Sequence, residues 1–120
     1  MFRCEYCLLH QDDAGFPHEV DHIISRQHGG ETITDNLAYA CMVYNRYKGS
    51  NIASVAPSGD LVPLFNPRLD RWNDHFRLNG AAIEPLGLVG EVTAQVLRLN
   101  TPERLMRRSV LQQVRRYPKE

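Results

Sequence analysis

An aspartate and a histidine stand side by side at Asp21-His22, shortly before His28-Gly29-Gly30. Two amides follow, Asn36 and Asn45, with Lys48 three residues beyond the second. An aspartate can hold a divalent cation through oxygen while a neighbouring histidine takes a proton from water. Adjacent strand residues face opposite ways, so the two could share a site only where the strand ends or bends, which the glycine loop allows. A structural use is also open: the aspartate capping a turn, the histidine half-buried on a carbonyl. Asn36, in Asp-Asn-Leu, is ordinary turn chemistry. Asn45 tells more, because an amide is not a preferred choice inside a short helix, and it can offer a neutral oxygen to a metal. Lys48 would share its helix face and could meet a phosphate. A second group is Cys4 and Cys7, a C-x-x-C pair suited to metal or redox chemistry.

These side chains need elements to hold them. The first ten residues, with the cysteine pair, suit a tight knuckle turn, and Gln11 to Gly15 is polar and turn-like. Val20, Ile23 and Ile24 suggest a strand within residues 16–24, and residues 27–30 must be a loop. After a turn at Thr34-Asp35-Asn36, Leu37 to Cys41 suits a return strand, and Val43 to Gly49 a short helix capped by Gly49. Ser54 to Leu64 reads as a hairpin with Pro57-Ser58-Gly59-Asp60 at its tip, and Trp72 to Leu86 as a second one turning at Asn79-Gly80. The periodicity predicts a helix from Val89 to Leu99. Thr101 as N-cap and Pro102 at the first helical position open a last helix. Its buried side would be Leu105, Met106, Val110, Leu111 and Val114, with Arg107, Arg108, Arg115 and Arg116 elsewhere. The fold class expected is α+β: a ββα core over residues 1–52, then hairpins and two C-terminal helices over 53–120, in one domain.

Composition bounds the function. The 120 residues suit one domain with a real core, and no apolar run nears membrane-spanning length. Nothing resembles a signal peptide, so a soluble, cytoplasmic protein is expected. Three cysteines in such a chain make a disulfide framework an unsuitable reading. Net charge is zero, but Lys and Arg number 4, 3 and 7 in residues 1–50, 51–95 and 96–120, against 7, 5 and 2 Asp and Glu. The basic C-terminal segment is compatible with phosphate-backbone contact or with a solvated helix face.

Taken together, Glu19-Val20-Asp21-His22-Ile23-Ile24, His28-Gly29-Gly30, Asn36-Leu37 and Asn45-Arg46-Tyr47-Lys48-Gly49 resemble the HNH endonucleases, over residues 4–51. The likeness extends to Pro63-Leu64-Phe65-Asn66-Pro67-Arg68 and Trp72-Asn73-Asp74-His75-Phe76, similar to the tail of a bacterial subfamily. The resemblance implies a ββα-metal fold clamping one divalent cation, Mg²⁺ or Mn²⁺. It implies His22 as general base, Asp21 and Asn45 as metal ligands, and Asn36 as the residue that fixes the loop and so orients His22. The last family histidine is asparagine here, an H-N-N version of the motif. DNA is the implied partner; the sequence leaves oligomeric state open.

Many members of that family also bind a structural zinc ion through two C-x-x-C pairs. Here the second pair reads Cys41-Met42-Val43-Tyr44, with tyrosine in the fourth cysteine's place. Phenol is not a usual zinc ligand, so the expectation is Cys4, Cys7 and Cys41 with His10 or water, or a packed site without metal. His28 could touch substrate, and the four arginines could contact the DNA backbone. His18 and His75 suit packing or surface roles; Trp72 and Phe76 could stack on bases or pack in the core. Two other classes compete with the nuclease: a nucleic-acid- or protein-binding module on a decayed scaffold, and a C-x-x-C redox protein. The second lacks the βα context its motif requires.

Overall fold

A computed structural model describes residues 2–118. The fold is α+β, built from three antiparallel two-stranded hairpins and four helices among the described residues. Strand β1 (Glu19–His22) pairs with β2 (Leu37–Ala40), placing Asp21 opposite Ala38 and Glu19 opposite Ala40. Alternation sends Glu19, Asp21, Ala38 and Ala40 to one face, where the two alanines leave room for helix α1 (Met42–Lys48). Strand β1 is shorter than the residues 16–24 expected of it. Pro17 has no N–H to give, and the amide of Asn36 takes both the N–H and the carbonyl of Ile24 at 2.9 Å.

Strands β3 (Ala53–Val55) and β4 (Leu61–Pro63) form the second hairpin, as expected. In the third, the residues from Trp72 to His75 are a helical turn, α2, and only β5 (Phe76–Asn79) and β6 (Ala82–Pro85) pair. Pro85, opposite Phe76, gives the ladder no N–H. The Trp72 indole turns inward to donate to the Tyr6 carbonyl at 2.8 Å, and Phe76 is buried against it, so packing is their use.

Helix α3 (Leu88–Leu97) packs on α1, β3, β4 and β6. Its Gly90 permits the approach: a Cβ there would fall 2.3 Å from the His75 carbonyl oxygen. Helix α4 (Pro102–Gln113) starts as its sequence predicts, with the Thr101 hydroxyl accepting from the Arg104 N–H. Its faces are a correction. Met106, Val110 and Val114 are exposed, while Arg108 is only 1% exposed. The Arg108 guanidinium fills the gap between α4 and the β5–β6 turn, donating to the Ala81 carbonyl (2.6 Å) and to Asn100 Oδ1 (2.9 Å). An arginine suits this gap better than an aliphatic side chain because it donates to the Ala81 carbonyl and adds a second donor to Asn100 Oδ1, which also accepts from the Ile83 N–H.

The main core runs from Cys4, Tyr6 and Cys7 through Ile23, Ala38 and Tyr44 to Phe65, Phe76, Leu97 and Tyr117. No helix among the described residues is long and apolar enough to cross a membrane.

Candidate active site and thiol cluster

The seam between β1 and α1 carries the polar chemistry. Asn45 and Lys48 lie three apart along α1 and meet Glu19 and Asp21, two apart along β1. The Asn45 amide donates to Glu19 Oε1 at 2.8 Å. Lys48 Nζ lies 3.2 Å from Asp21 Oδ2 and donates to the His22 carbonyl at 3.0 Å. The Tyr6 hydroxyl adds a bond to Asp21 at 3.3 Å. Burial raises the Asp21 carboxyl above its ordinary range, and the opposing pull of Lys48, Tyr6 and His22 does not cancel it. Lys48 is therefore a correction: at 2% exposure and bound to Asp21, it is not free to meet a phosphate.

His22 ends β1 and points the other way, toward the loop between the strands. Its Nε2 lies 2.9 Å from Thr32 Oγ1, so the remaining ring nitrogen, Nδ1, is the one left for proton transfer. Asn36 clamps that loop: besides Ile24, its amide donates to the Glu31 carbonyl at 2.8 Å. Gly30 is required beside the clamp, since a Cβ would sit 1.7 Å from the Ile24 carbonyl oxygen and 2.9 Å from Asn36 Nδ2. His28 is exposed on a 3-10 turn of the same loop. Asp21 and His22 thus lie on opposite faces of one strand end without a direct bond between their side chains.

The donors on the seam are two carboxylates and an amide, the oxygen chemistry that a hard divalent cation takes. Glu19 and Thr32 had no role assigned from sequence. Glu19 was legible as the residue two before Asp21 on the same strand face; Thr32, held by loop shape alone, was not.

The three cysteines form a separate, buried cluster, their sulfurs all within 4.8 Å of one another. Cys7 Sγ lies 3.7 Å from Cys41 Sγ, and the backbone N–H groups of Tyr6 and Cys7 both donate to Cys4 Sγ at 3.4 Å. Burial pushes the Cys4 thiol up to about 12, against a hydrogen bond from Cys41. Burial also raises Cys7, but bonds from Cys4, Cys41 and the Leu9 backbone, with the Tyr44 hydroxyl close by, outweigh it and hold that thiol well below its ordinary range. Cys41 is raised, chiefly through its bonds to Cys4 and Cys7. Three converging thiols, two donors on one sulfur, and no disulfide among them fit a thiophilic cation such as zinc. His10, expected as a possible fourth ligand, is not part of the group: its Nδ1 accepts from the Asp12 N–H at 3.1 Å.

Part of the basic segment is tied to the rest of the molecule. Arg107 donates to the Asp13 carbonyl at 3.1 Å and Arg116 pairs with Asp13 Oδ1 at 2.8 Å. Arg108 is buried, a correction to its expected contact with DNA, and Arg115 is exposed. His18 is buried with Nε2 2.8 Å from the Leu9 carbonyl oxygen, and His75 stacks edgewise on Phe65.

Comparison with known proteins agrees with this geometry. The family model described as HNH endonuclease matches residues 4–51. The Septu protein PtuB of Bacillus thuringiensis is 26% identical over 106 residues, covering 87% of this chain. The chain spans only 39% of that relative's length. No solved structure matches. The matched stretch, residues 4–51, takes in the hairpin, the clamped loop and the helix, and is similar over that span to an HNH endonuclease domain.

Proposed function

We propose that the protein is a metal-dependent endonuclease that hydrolyses phosphodiester bonds in DNA. The observation that carries this reading is the end of β1, where His22 leaves the strand beside Asp21 under a loop clamped by Asn36. His22 Nδ1 takes the proton of the attacking water, while Thr32 holds the opposite nitrogen and so the ring's orientation. Asn36 acts through position: by tying Ile24 to Glu31 it fixes the backbone that carries His22. Asp21 and Asn45 would hold a Mg²⁺ or Mn²⁺ ion, which supplies Lewis-acid stabilisation of charge at the phosphate and leaving oxygen. Among the groups suggested for DNA contact, exposed His28 and Arg115 remain available on the surface. The Cys4, Cys7 and Cys41 thiols would hold a structural zinc ion that closes the knuckle over the core.

A second reading, a binding module without catalysis, is favoured by one observation: Asp21 already has Lys48 as its counter-charge. One experiment separates the two. Supercoiled plasmid is incubated with wild type and His22→Ala in Mg²⁺, Mn²⁺ or EDTA, alongside a gel-shift assay. The nuclease reading expects metal-dependent nicking, slowed about 10²- to 10⁴-fold in His22→Ala. Plasmid left supercoiled in every lane, with binding retained, would establish the module instead.

A further inference from the structure

The thiol cluster has three sulfurs and needs a fourth donor to close a tetrahedral site. Tyr44 stands three residues after Cys41, the place of the missing cysteine, and its backbone N–H already turns back onto the Cys41 carbonyl at 3.0 Å. The ring is buried, and its hydroxyl, close to Cys7, makes no well-formed hydrogen bond. A buried orphan hydroxyl is costly, and in native proteins it commonly marks an ion or water not yet accounted for. Arg104 supplies a second, independent observation. Its guanidinium lies over the Tyr44 ring, 4.8 Å from the centroid, with Nη1 3.9 Å from Cys41 Sγ. The face of the Tyr44 ring attracts the cation in its own right, and the reach of Nη1 to Cys41 Sγ also sets it beside a site that would carry excess negative charge once metal is bound.

We propose that Tyr44 is the fourth ligand of this cluster, its phenolate oxygen completing a three-sulfur, one-oxygen zinc site whose charge Arg104 balances. Three thiolates and a phenolate around Zn²⁺ leave a net charge of about −2, and Arg104 reduces it to about −1. The thiol and phenol protons still held in the metal-free protein pass to the buffer on loading. Zinc takes oxygen as well as sulfur and nitrogen ligands in its four-coordinate shell, and a bound cation favours release of the proton of a buried oxygen acid. A cleft of about 580 Å³, lined by Cys41, Tyr44 and Arg104 among others, gives the ion a route from solvent. This inference rests on the structural-zinc reading above.

The test loads zinc and, separately, Co²⁺ into the full chain as wild type, Tyr44→Phe, Tyr44→Cys and Cys4→Ser with Cys7→Ser. Metal stoichiometry, chelator competition and absorption spectra are the readouts. Wild type should bind one zinc per chain and gain a tyrosinate band in the ultraviolet difference spectrum. Tyr44→Phe should lose the band and bind at least about tenfold more weakly, the loss that even an outer partner of a metal ligand brings. Tyr44→Cys should bind at least as tightly as wild type, with a cobalt spectrum moved to that of a four-thiolate site. If Tyr44→Phe does not fold, the wild-type band and the Tyr44→Cys spectrum decide the matter. Tight binding by wild type without a tyrosinate band overturns the role of Tyr44 and leaves the zinc reading standing. No bound metal in wild type or Tyr44→Cys overturns both.

Discussion

Lys48 and Asp21 form an ion pair with both side chains almost wholly out of water, at 2% and 4% exposure. Such a pair adds little net stability, but breaking it from one side is expensive because the other charge stays buried. Lys48→Met should therefore destabilise the fold by about 3–5 kcal/mol at neutral pH. The pH dependence follows from the Asp21 carboxyl, which burial already raises above its ordinary 3.8 despite Lys48. Without the lysine, the folded protein keeps the Asp21 proton to still higher pH than the unfolded chain does. Between those two values the folded state binds more protons, so stability falls as pH rises, and the deficit fades below the ordinary carboxyl range. Denaturant titrations of both proteins across acid and neutral pH measure this; an equal deficit at every pH would show that Asp21 is not the group responsible.

At the scale of elements, α4 separates arginines by depth. Arg108→Leu removes the donor to the Ala81 carbonyl and one of the two donors to Asn100 Oδ1, which keeps the Ile83 N–H, and should cost about 1–3 kcal/mol in a denaturant titration. Arg115→Gln, exposed just beyond the C-cap of α4, should change stability by less than about 0.5 kcal/mol. If α4 faces DNA, that same change lowers the salt slope of binding by about one, whereas Arg108→Leu affects binding only through folding. The position of α4 and its Thr101 cap were legible because capping and proline chemistry are local. So were the ββα core, the first hairpin and α3, whose patterns need only neighbours in sequence. The helix's faces were not: that Arg108 is inside and Met106 and Val110 outside depends on acceptors at Ala81 and Asn100, which only tertiary structure brings near. The candidate site divides in the same way. Asp21, His22, Asn36 and Asn45 were legible as motif positions, but their partners Lys48, Thr32 and Glu19 are set by which strand face each residue takes.

For the whole molecule, the thiol cluster is where distant parts of the chain meet. Arg104 reaches Cys41, and the Tyr117 hydroxyl donates to the Cys7 carbonyl at 2.6 Å. A metal held there is linked to the stability of everything packed around it. Zinc at about a hundred times its dissociation constant should stabilise the fold by about 2.7 kcal/mol, and a strong chelator should remove that gain. Calorimetry at graded zinc concentrations is the measurement, and a transition midpoint indifferent to both zinc and chelator would count against a metal at the knuckle.

Because Tyr117 closes on Cys7, the knuckle is sealed by a residue made 110 positions after it. At translation speeds of about 5–20 residues per second, the thiols of a growing chain wait roughly 5–20 s before their cover can arrive. During that interval they are open to oxidants and to competing metals. Early zinc capture would then act as a chemical guard on the nascent chain as well as a brace on the finished one.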